Sequence, residues 1–233
     1  MYYPRHLENS LESTLSTIHK SAKKAGRNPN NINIVAVTKT LPVEAWNDAS
    51  RAHLDIIGEN RVQEAQEKFQ KYSNSLNMHL HLIGHLQSNK VNTAVKLFDV
   101  IQTIDSIKLA EKINTVAEKQ NKKQNIFIQI NISADPKKHG FTTKETLIAT
   151  QKISEMQNIK LLGIMVIPKQ NLSIDRLKDT YSKTRKLRDV IQKKINQNCK
   201  NISMGMSKDY TIAISEGATH IRLGTALFGP RTI

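Results

Sequence analysis

Ile32-Asn33-Ile34-Val35-Ala36-Val37-Thr38-Lys39 is the stretch that decides the fold. Its Ile, Val and Ala residues run with little alternation, which is the pattern of a strand covered on both faces. It ends in a lysine, and Pro42 soon afterwards opens a helix in the first turn, where proline is preferred. In a barrel-type α/β fold the carboxyl end of a strand faces the active site. An ammonium at the edge of an apolar core titrates readily and can act as a Schiff-base nucleophile.

Working outward, the same strand-then-helix unit recurs. Strands are expected over Ile32–Thr38, Asp55–Gly58, His79–Ile83, Val100–Ile104, Ile126–Ile132, Leu161–Ile167, Asn201–Met204 and His220–Leu223. Helical patterns lie between them: Pro42–His53, Arg61–Tyr72 after Asn60 as N-cap, Ser88–Leu97, Ser106–Lys119, a capping box at Thr142–Glu145, the charged Ser173–Asn196, and Ser207–Glu216 stopped by Gly217. An extra helix, His6–Ala25, precedes the first strand and ends at Gly26. The alternation predicts a parallel sheet. Eight strands in 233 residues predict one (β/α)8 TIM barrel domain over residues 1–233, near that fold's usual ~250 residues. A doubly wound open sheet is the rival, but the turn after the first strand is Thr38-Lys39-Thr40-Leu41-Pro42 and carries no Gly-rich fingerprint.

Composition narrows the function. One cysteine, Cys199, allows no intrachain disulfide and fits a reducing compartment. Met1–Glu8 has no apolar signal region, and no apolar run approaches the roughly 20 residues a membrane span needs, so a cytoplasmic protein is expected. The net charge of +15 is spread over scattered lysine pairs, and aromatics are only 5%. That argues for attraction of phosphorylated ligands rather than for specific nucleic-acid binding.

The polar residues cluster at strand ends: Lys39 after strand one, Gly58-Glu59-Asn60 after two, Gly84-His85 after three, Asp105 after four, Gln129 and Asn131 in five, Ser207 after seven, and Arg222 with Gly224-Thr225 in and after eight. In a barrel these ends share one mouth. Ser207 is placed to cap the helix that follows it, so its hydroxyl and nearby N–H groups suit an anion. Gly224 lets the backbone approach closely, and Thr225 adds a hydroxyl. The loops after the last two strands are the usual phosphate site of this fold. Arg222 shares strand parity with Gly224, points inward and needs a partner. Lysine, phosphate cradle and inward arginine together suggest pyridoxal phosphate, with the aldehyde on Lys39, the phosphate at Ser207, Gly224 and Thr225, and Arg222 facing the ring nitrogen. A permanent cation there disfavours protonating that nitrogen, which makes the ring a weak electron sink.

Val35–Lys39, Gly58–Glu64, His81–Gly84, Leu86–Lys90, Gly163–Met165, Met204–Asp209 and Ile221–Gly229 resemble, in order, the motifs of the pyridoxal phosphate homeostasis protein family, also called the YggS/PROSC family. The resemblance implies an alanine-racemase-like barrel of fold type III that carries pyridoxal phosphate on Lys39. It implies Lys39, Asn60, Ser207, Arg222, Gly224 and Thr225 as cofactor contacts, and a carrier without established catalytic turnover. The recipients implied are pyridoxal-phosphate-dependent apoenzymes, and a monomer is expected. Leu80 stands where the family usually has an aromatic, His85 where it usually has proline, and Thr38 where serine is common.

Plainer readings stand beside these. Lys39 could be a rim lysine with a buried stem, Asn60 only an N-cap, and Arg222 the partner of an inward carboxylate. His79, His81 and His85 share strand parity, but with no Asp or Glu nearby in sequence no metal site is expected, and His81 reads as a hydrogen-bonded wall residue. A pyridoxal-phosphate racemase or decarboxylase is the alternative function. Such barrel enzymes use a second, all-β domain, and Ala226–Ile233 is too short to supply one. A cofactor-free Schiff-base aldolase is a further reading, and it would be colourless.

Overall fold

The computed structural model describes residues 5–72, 78–133, 135 and 137–230, with the backbone alone for residues 5 and 6. Eight parallel strands form the barrel: β1 (Asn33–Val37), β2 (Ile56–Glu59), β3 (His79–Leu82), β4 (Val100–Ile104), β5 (Gln124–Asn131), β7 (Ile159–Val166), β8 (Asn201–Met206) and β9 (His220–Leu223). A two-residue strand, β6 (Phe141–Thr142), adds to β5. The order is β4-β3-β2-β1-β9-β8-β7-β5, and β5 pairs with β4 to close the circle. Among the described residues, the short β6 is the strand the periodicity did not announce, because two residues carry no alternation to detect.

Helices α2 (Glu44–Arg51), α3 (Val62–Lys71), α4 (Val91–Leu97), α5 (Ile107–Lys119), α6 (Thr143–Ser154), α7 (Ile174–Lys194), α8 (Tyr210–Ser215) and α9 (Thr225–Phe228) follow the strands, and α1 (Arg5–Lys24) precedes them. Ser106 caps α5 and Ser173 caps α7, Thr142 with Glu145 makes the expected capping box, and Ser88 lies in a 3-10 turn ahead of α4 rather than at its N-cap. Gly26, at φ +66°, ends α1. The inward stripe of α1 is Leu7, Leu11, Thr14, Ile18 and Ala22, and the helix packs on α8 and α9. Arg27 ties it down by donating to the carbonyls of Ile214 (2.6 Å) and Ala218 (2.7 Å), near the end of α8. Burial, with Arg188 and Arg185 nearby, lowers the Arg27 pKa.

Each strand turns alternate side chains to opposite faces. Ala36, Ile57, Leu82, Ile101, Ile128, Ile164, Ile202 and Ile221 join the main core between strands and helices. The other parity fills the inside of the barrel with two small apolar groups, one of Val35, Val37 and Ile83 and one of Val100, Phe127 and Met165. Gly58 keeps that inside open, since a Cβ there would stand 2.8 Å from Val35 Cγ1. The same parity carries His81, Gln102, Ser203, His220 and Arg222, all buried.

A candidate cofactor site at one arc of the barrel mouth

The six residues singled out above come from four neighbouring strands. Around the barrel the order is β2, β1, β9, β8. Asn60 follows β2, Lys39 follows β1, Arg222 lies in β9 with Gly224 and Thr225 just beyond it, and Ser207 follows β8. Val35 is in register with Arg222. Lys39, four positions further along the same parity, therefore stands nearer the mouth than Arg222 does.

Two capping assignments change. The helix after β2 starts at Val62 with Arg61 as its N-cap, so Asn60 does not cap it. Asn60 packs instead against Gly84, where a Cβ would lie 2.1 Å from the Asn60 carbonyl oxygen. The helix after β8 starts at Tyr210 with Asp209 as N-cap, not at Ser207. The Asp209 carboxylate is turned back to accept from Met206 N–H at 2.6 Å, which delays the helix. The Ser207 hydroxyl reaches across to β9, where it accepts from the N–H groups of Gly224 (3.3 Å) and Ala226 (3.1 Å) at the start of α9. Ser207 thus caps the last helix rather than its own.

Arg222 heads a line of hydrogen bonds across the inside of the barrel. It donates to Val166 O at 2.9 Å and to Ser203 Oγ at 2.7 Å. Ser203 Oγ, already an acceptor, donates to Gln102 Oε1 at 2.6 Å. Gln102 Nε2 then donates to His81 Nδ1 at 2.8 Å. These directions assign the His81 proton to Nε2 and make the ring neutral. Burial, with His220 and His79 nearby, pushes the His81 pKa down to about 3. His220, 6.2 Å from His81 between ring centroids, is pushed down to about 4 by burial and Arg222. Burial also lowers the Arg222 pKa, while Tyr181 and Asp209 oppose the shift. Arginine nevertheless stays charged. Among the described residues no carboxylate lies within ion-pair distance of Arg222, so the inward counter-ion weighed for it is not there. Its described bonds use two of five N–H donors.

The loop that carries Lys39 is braced from the other face of the sheet. The Glu59 carboxylate, expected at the mouth, points toward the helices. There its Oε1 accepts from Thr38 Oγ1 (2.7 Å), Trp46 Nε1 (3.1 Å) and Lys68 Nζ (2.8 Å). Lys68 also donates to Thr38 O at 2.9 Å and to Glu64 Oε1 at 2.7 Å, and Glu64 Oε1 accepts Thr40 N–H at 2.5 Å. Thr40 sits at φ +65°, a region β-branched residues avoid. Both neighbours of Lys39 are therefore held outside the barrel, which leaves Lys39 on the inward parity.

Sequence reasoning missed Gln102, Ser203, Trp46 and Lys68. Gln102 carried a signal, a polar residue within the apolar run Val100–Ile104. Lys68 carried none, because a lysine on a helix reads as solvated. His81 is the hydrogen-bonded wall residue expected. His79, His81 and His85 do not share a site: His81 turns to Gln102 and His85 to Asp105.

The profile of the alanine racemase N-terminal domain matches residues 13–232. A pyridoxal phosphate homeostasis protein of Aquifex aeolicus (strain VF5) is 35% identical over 221 residues, covering 95% of this chain and 96% of the relative. The chain belongs to the pyridoxal phosphate homeostasis protein family. A family member from Haemophilus influenzae is 35% identical over 228 residues, covering 97% of this chain and 96% of its own. The solved structure of PipY from Synechococcus elongatus PCC7942 with PLP bound matches at TM-score 0.82 and 32% identity, covering 91% of this chain and 100% of that one. The alanine racemase of Clostridium difficile 630 shares the fold, at TM-score 0.72 and 16% identity, over 94% of this chain and 57% of that one.

Proposed function

We propose that this chain, as one unit over residues 1–233, binds pyridoxal 5'-phosphate at the β2-β1-β9-β8 arc. There it holds the cofactor for delivery to pyridoxal-phosphate-dependent apoenzymes, as a cytoplasmic monomer without turnover of its own. The observation that carries the reading is Arg222, a buried cation whose described hydrogen-bond partners are a hydroxyl and a carbonyl. Such a charge is poorly compensated until a ligand supplies an acceptor. The donor set fits the group: an amine at Lys39, a guanidinium at Arg222, hydroxyls at Ser207 and Thr225, and the N–H groups of Gly224 and Ala226. The membership in a family named for pyridoxal phosphate homeostasis, and PipY with PLP bound, support the same ligand.

When bound, pyridoxal 5'-phosphate supplies an aldehyde that an amine can capture and a ring that can withdraw electrons. Lys39 is assigned the Schiff-base link to that aldehyde. Ser207, Gly224 and Thr225 are assigned the phosphate, with Ser207 exchanging its two N–H partners for an anion. Asn60 is assigned a wall of the site. Arg222, held by Ser203 and Val166, is assigned the ring nitrogen, to which it donates. A donor that cannot give up its proton keeps that nitrogen unprotonated, which weakens the ring as an electron sink and favours holding over turnover.

The test is an absorbance spectrum of the purified chain with and without added pyridoxal 5'-phosphate, followed by borohydride reduction and peptide mapping. A yellow protein with the adduct on Lys39 is expected, and Lys39→Ala should lose the adduct while keeping its circular dichroism. An adduct on another lysine overturns the assignment. Exchange of an amino-acid α-hydrogen in deuterated solvent at enzymatic rates would favour the racemase or decarboxylase alternative.

A further inference from the structure

The opposite arc of the mouth holds a second constellation. His85 follows β3, Asp105 follows β4, and His139 lies in the loop after β5, so three neighbouring strands converge. His85 Nδ1 and His139 Nδ1 lie 3.2 and 3.3 Å from the same oxygen, Asp105 Oδ2. The two imidazoles stack with centroids 3.9 Å apart at 15°. All three ligand atoms fall within 4.8 Å of one another. Charge-assisted hydrogen bonds to a carboxylate run shorter, at about 2.7–2.9 Å. The two spacings to Asp105, 3.2 and 3.3 Å, match the edge of a tetrahedron whose centre-to-ligand bonds are about 2.0–2.1 Å, the zinc–imidazole and zinc–carboxylate lengths, and the stacked rings have to turn about their Cβ–Cγ bonds to aim both lone pairs at one ion.

Each ligand is anchored through its own backbone neighbourhood. The Gly84 carbonyl, just before His85, accepts from Thr103 Oγ1 at 2.7 Å. Ser106, just after Asp105, caps α5 through the N–H of Leu109. The His139 carbonyl accepts from Gln129 Nε2 at 3.1 Å. Asn131 Nδ2 donates to the carbonyls of Asp135 (2.7 Å) and Lys138 (3.2 Å) in the same loop. Gly140, at φ +116°, permits the return to β6, since a Cβ there would press to 3.0 Å on the backbone of β5. The Asp105 side chain is 12% exposed, and those of His85 and His139 are 43% and 58% exposed, so water can reach a fourth position.

We propose that His85, Asp105 and His139 form a divalent transition-metal site of the zinc class, with water as the fourth ligand. Two neutral imidazoles and one carboxylate are the donors this class takes, and three protein ligands leave one position open. Magnesium and calcium, which prefer all-oxygen sets, are excluded by the same chemistry. The site uses none of the six residues assigned to the cofactor, so it stands or falls separately from that reading.

The experiment is calorimetric titration of the full chain with zinc chloride after chelator treatment, without pyridoxal 5'-phosphate, beside a magnesium titration. One equivalent of zinc bound in the micromolar range or tighter is expected, with no magnesium uptake. His139→Ala and Asp105→Asn should each weaken zinc by more than about tenfold, while His19→Ala on exposed α1 should change nothing. Cobalt(II) supplies a second readout that does not depend on one variant folding. The wild type should show the strong visible absorption of a tetrahedral site, and His85→Ala should abolish it. No zinc uptake, or weak uptake of several equivalents that ignores these substitutions, overturns the proposal, and in either case the yellow adduct on Lys39 is read independently.

Discussion

Lys68 and Arg222 are both buried cations attached to the same barrel, one on each face of its sheet. Lys68, on the helix side, meets Glu59 at 2.8 Å and Glu64 at 2.7 Å. Arg222, on the inside, meets Ser203 Oγ at 2.7 Å and Val166 O at 2.9 Å, both neutral. A buried charge is costly unless paired, and breaking an existing pair is more costly than never making one. The helix-side cation is therefore complete within the chain and works as a brace for the Lys39 loop. The inside cation has only neutral hydrogen-bond partners among the described residues, and the proposed ligand site rests on that. The comparison teaches that buried charges are sorted into brace and site by their counter-ions, not by their depth.

The sharpest way to break this comparison is Glu59→Ala. It strands Lys68 with Glu64 alone and removes the acceptor shared by Thr38 and Trp46. A loss of about 3–5 kcal/mol is expected in urea unfolding. A loss below about 1 kcal/mol would mean the pair is not a brace. Arg222→Met should behave oppositely. Stability should stay within about 1.5 kcal/mol of wild type or rise, while pyridoxal 5'-phosphate affinity falls about tenfold or more in a spectrophotometric titration, the equivalent of about 1.4 kcal/mol.

Acid should sharpen the contrast next. His81 and His220 sit on the inside with pKa values pushed down to about 3 and about 4 from the ordinary 6.5. The unfolded chain takes up their protons first, so stability is fully present above pH 6.5 and is lost as pH falls toward those folded values. Each ring should account for on the order of 1–2 kcal/mol between pH 6.5 and pH 5. His81→Gln should flatten the slope measured by urea unfolding across that range, and an unchanged slope would remove His81 from the buried network. The smallest effect is expected from Ser207→Ala. It frees the N–H groups of Gly224 and Ala226, for about 1 kcal/mol of stability, with a weaker hold on inorganic phosphate as the accompanying readout.

Much of the barrel was legible. The strands at Val100–Ile104 and His220–Leu223 stand at the positions the hydrophobic runs indicated, and the Thr142 capping box and the Gly26 stop are local features that a few residues decide alone. Lys39 and Arg222 were legible for the same reason, since strand parity and strand ends are properties of the chain itself. Ser207 was half legible. Its type suits a cap, but the N–H groups it serves belong to the helix after the next strand.

What lay outside the order of residues was every relation between strands distant in the chain. That β9 lies beside β1 follows from closure of the sheet, and closure gathers Asn60, Lys39, Arg222 and Ser207 on one arc and His85, Asp105 and His139 on the other. The run from Arg222 through Ser203 and Gln102 to His81 spans the barrel, and Glu59 found Lys68 on the far face of its own strand. Periodicity acts over a few residues, because it is set by backbone geometry. Partnership of buried charges acts through space, because desolvation leaves each one dependent on whichever neighbour packing brings within hydrogen-bond reach.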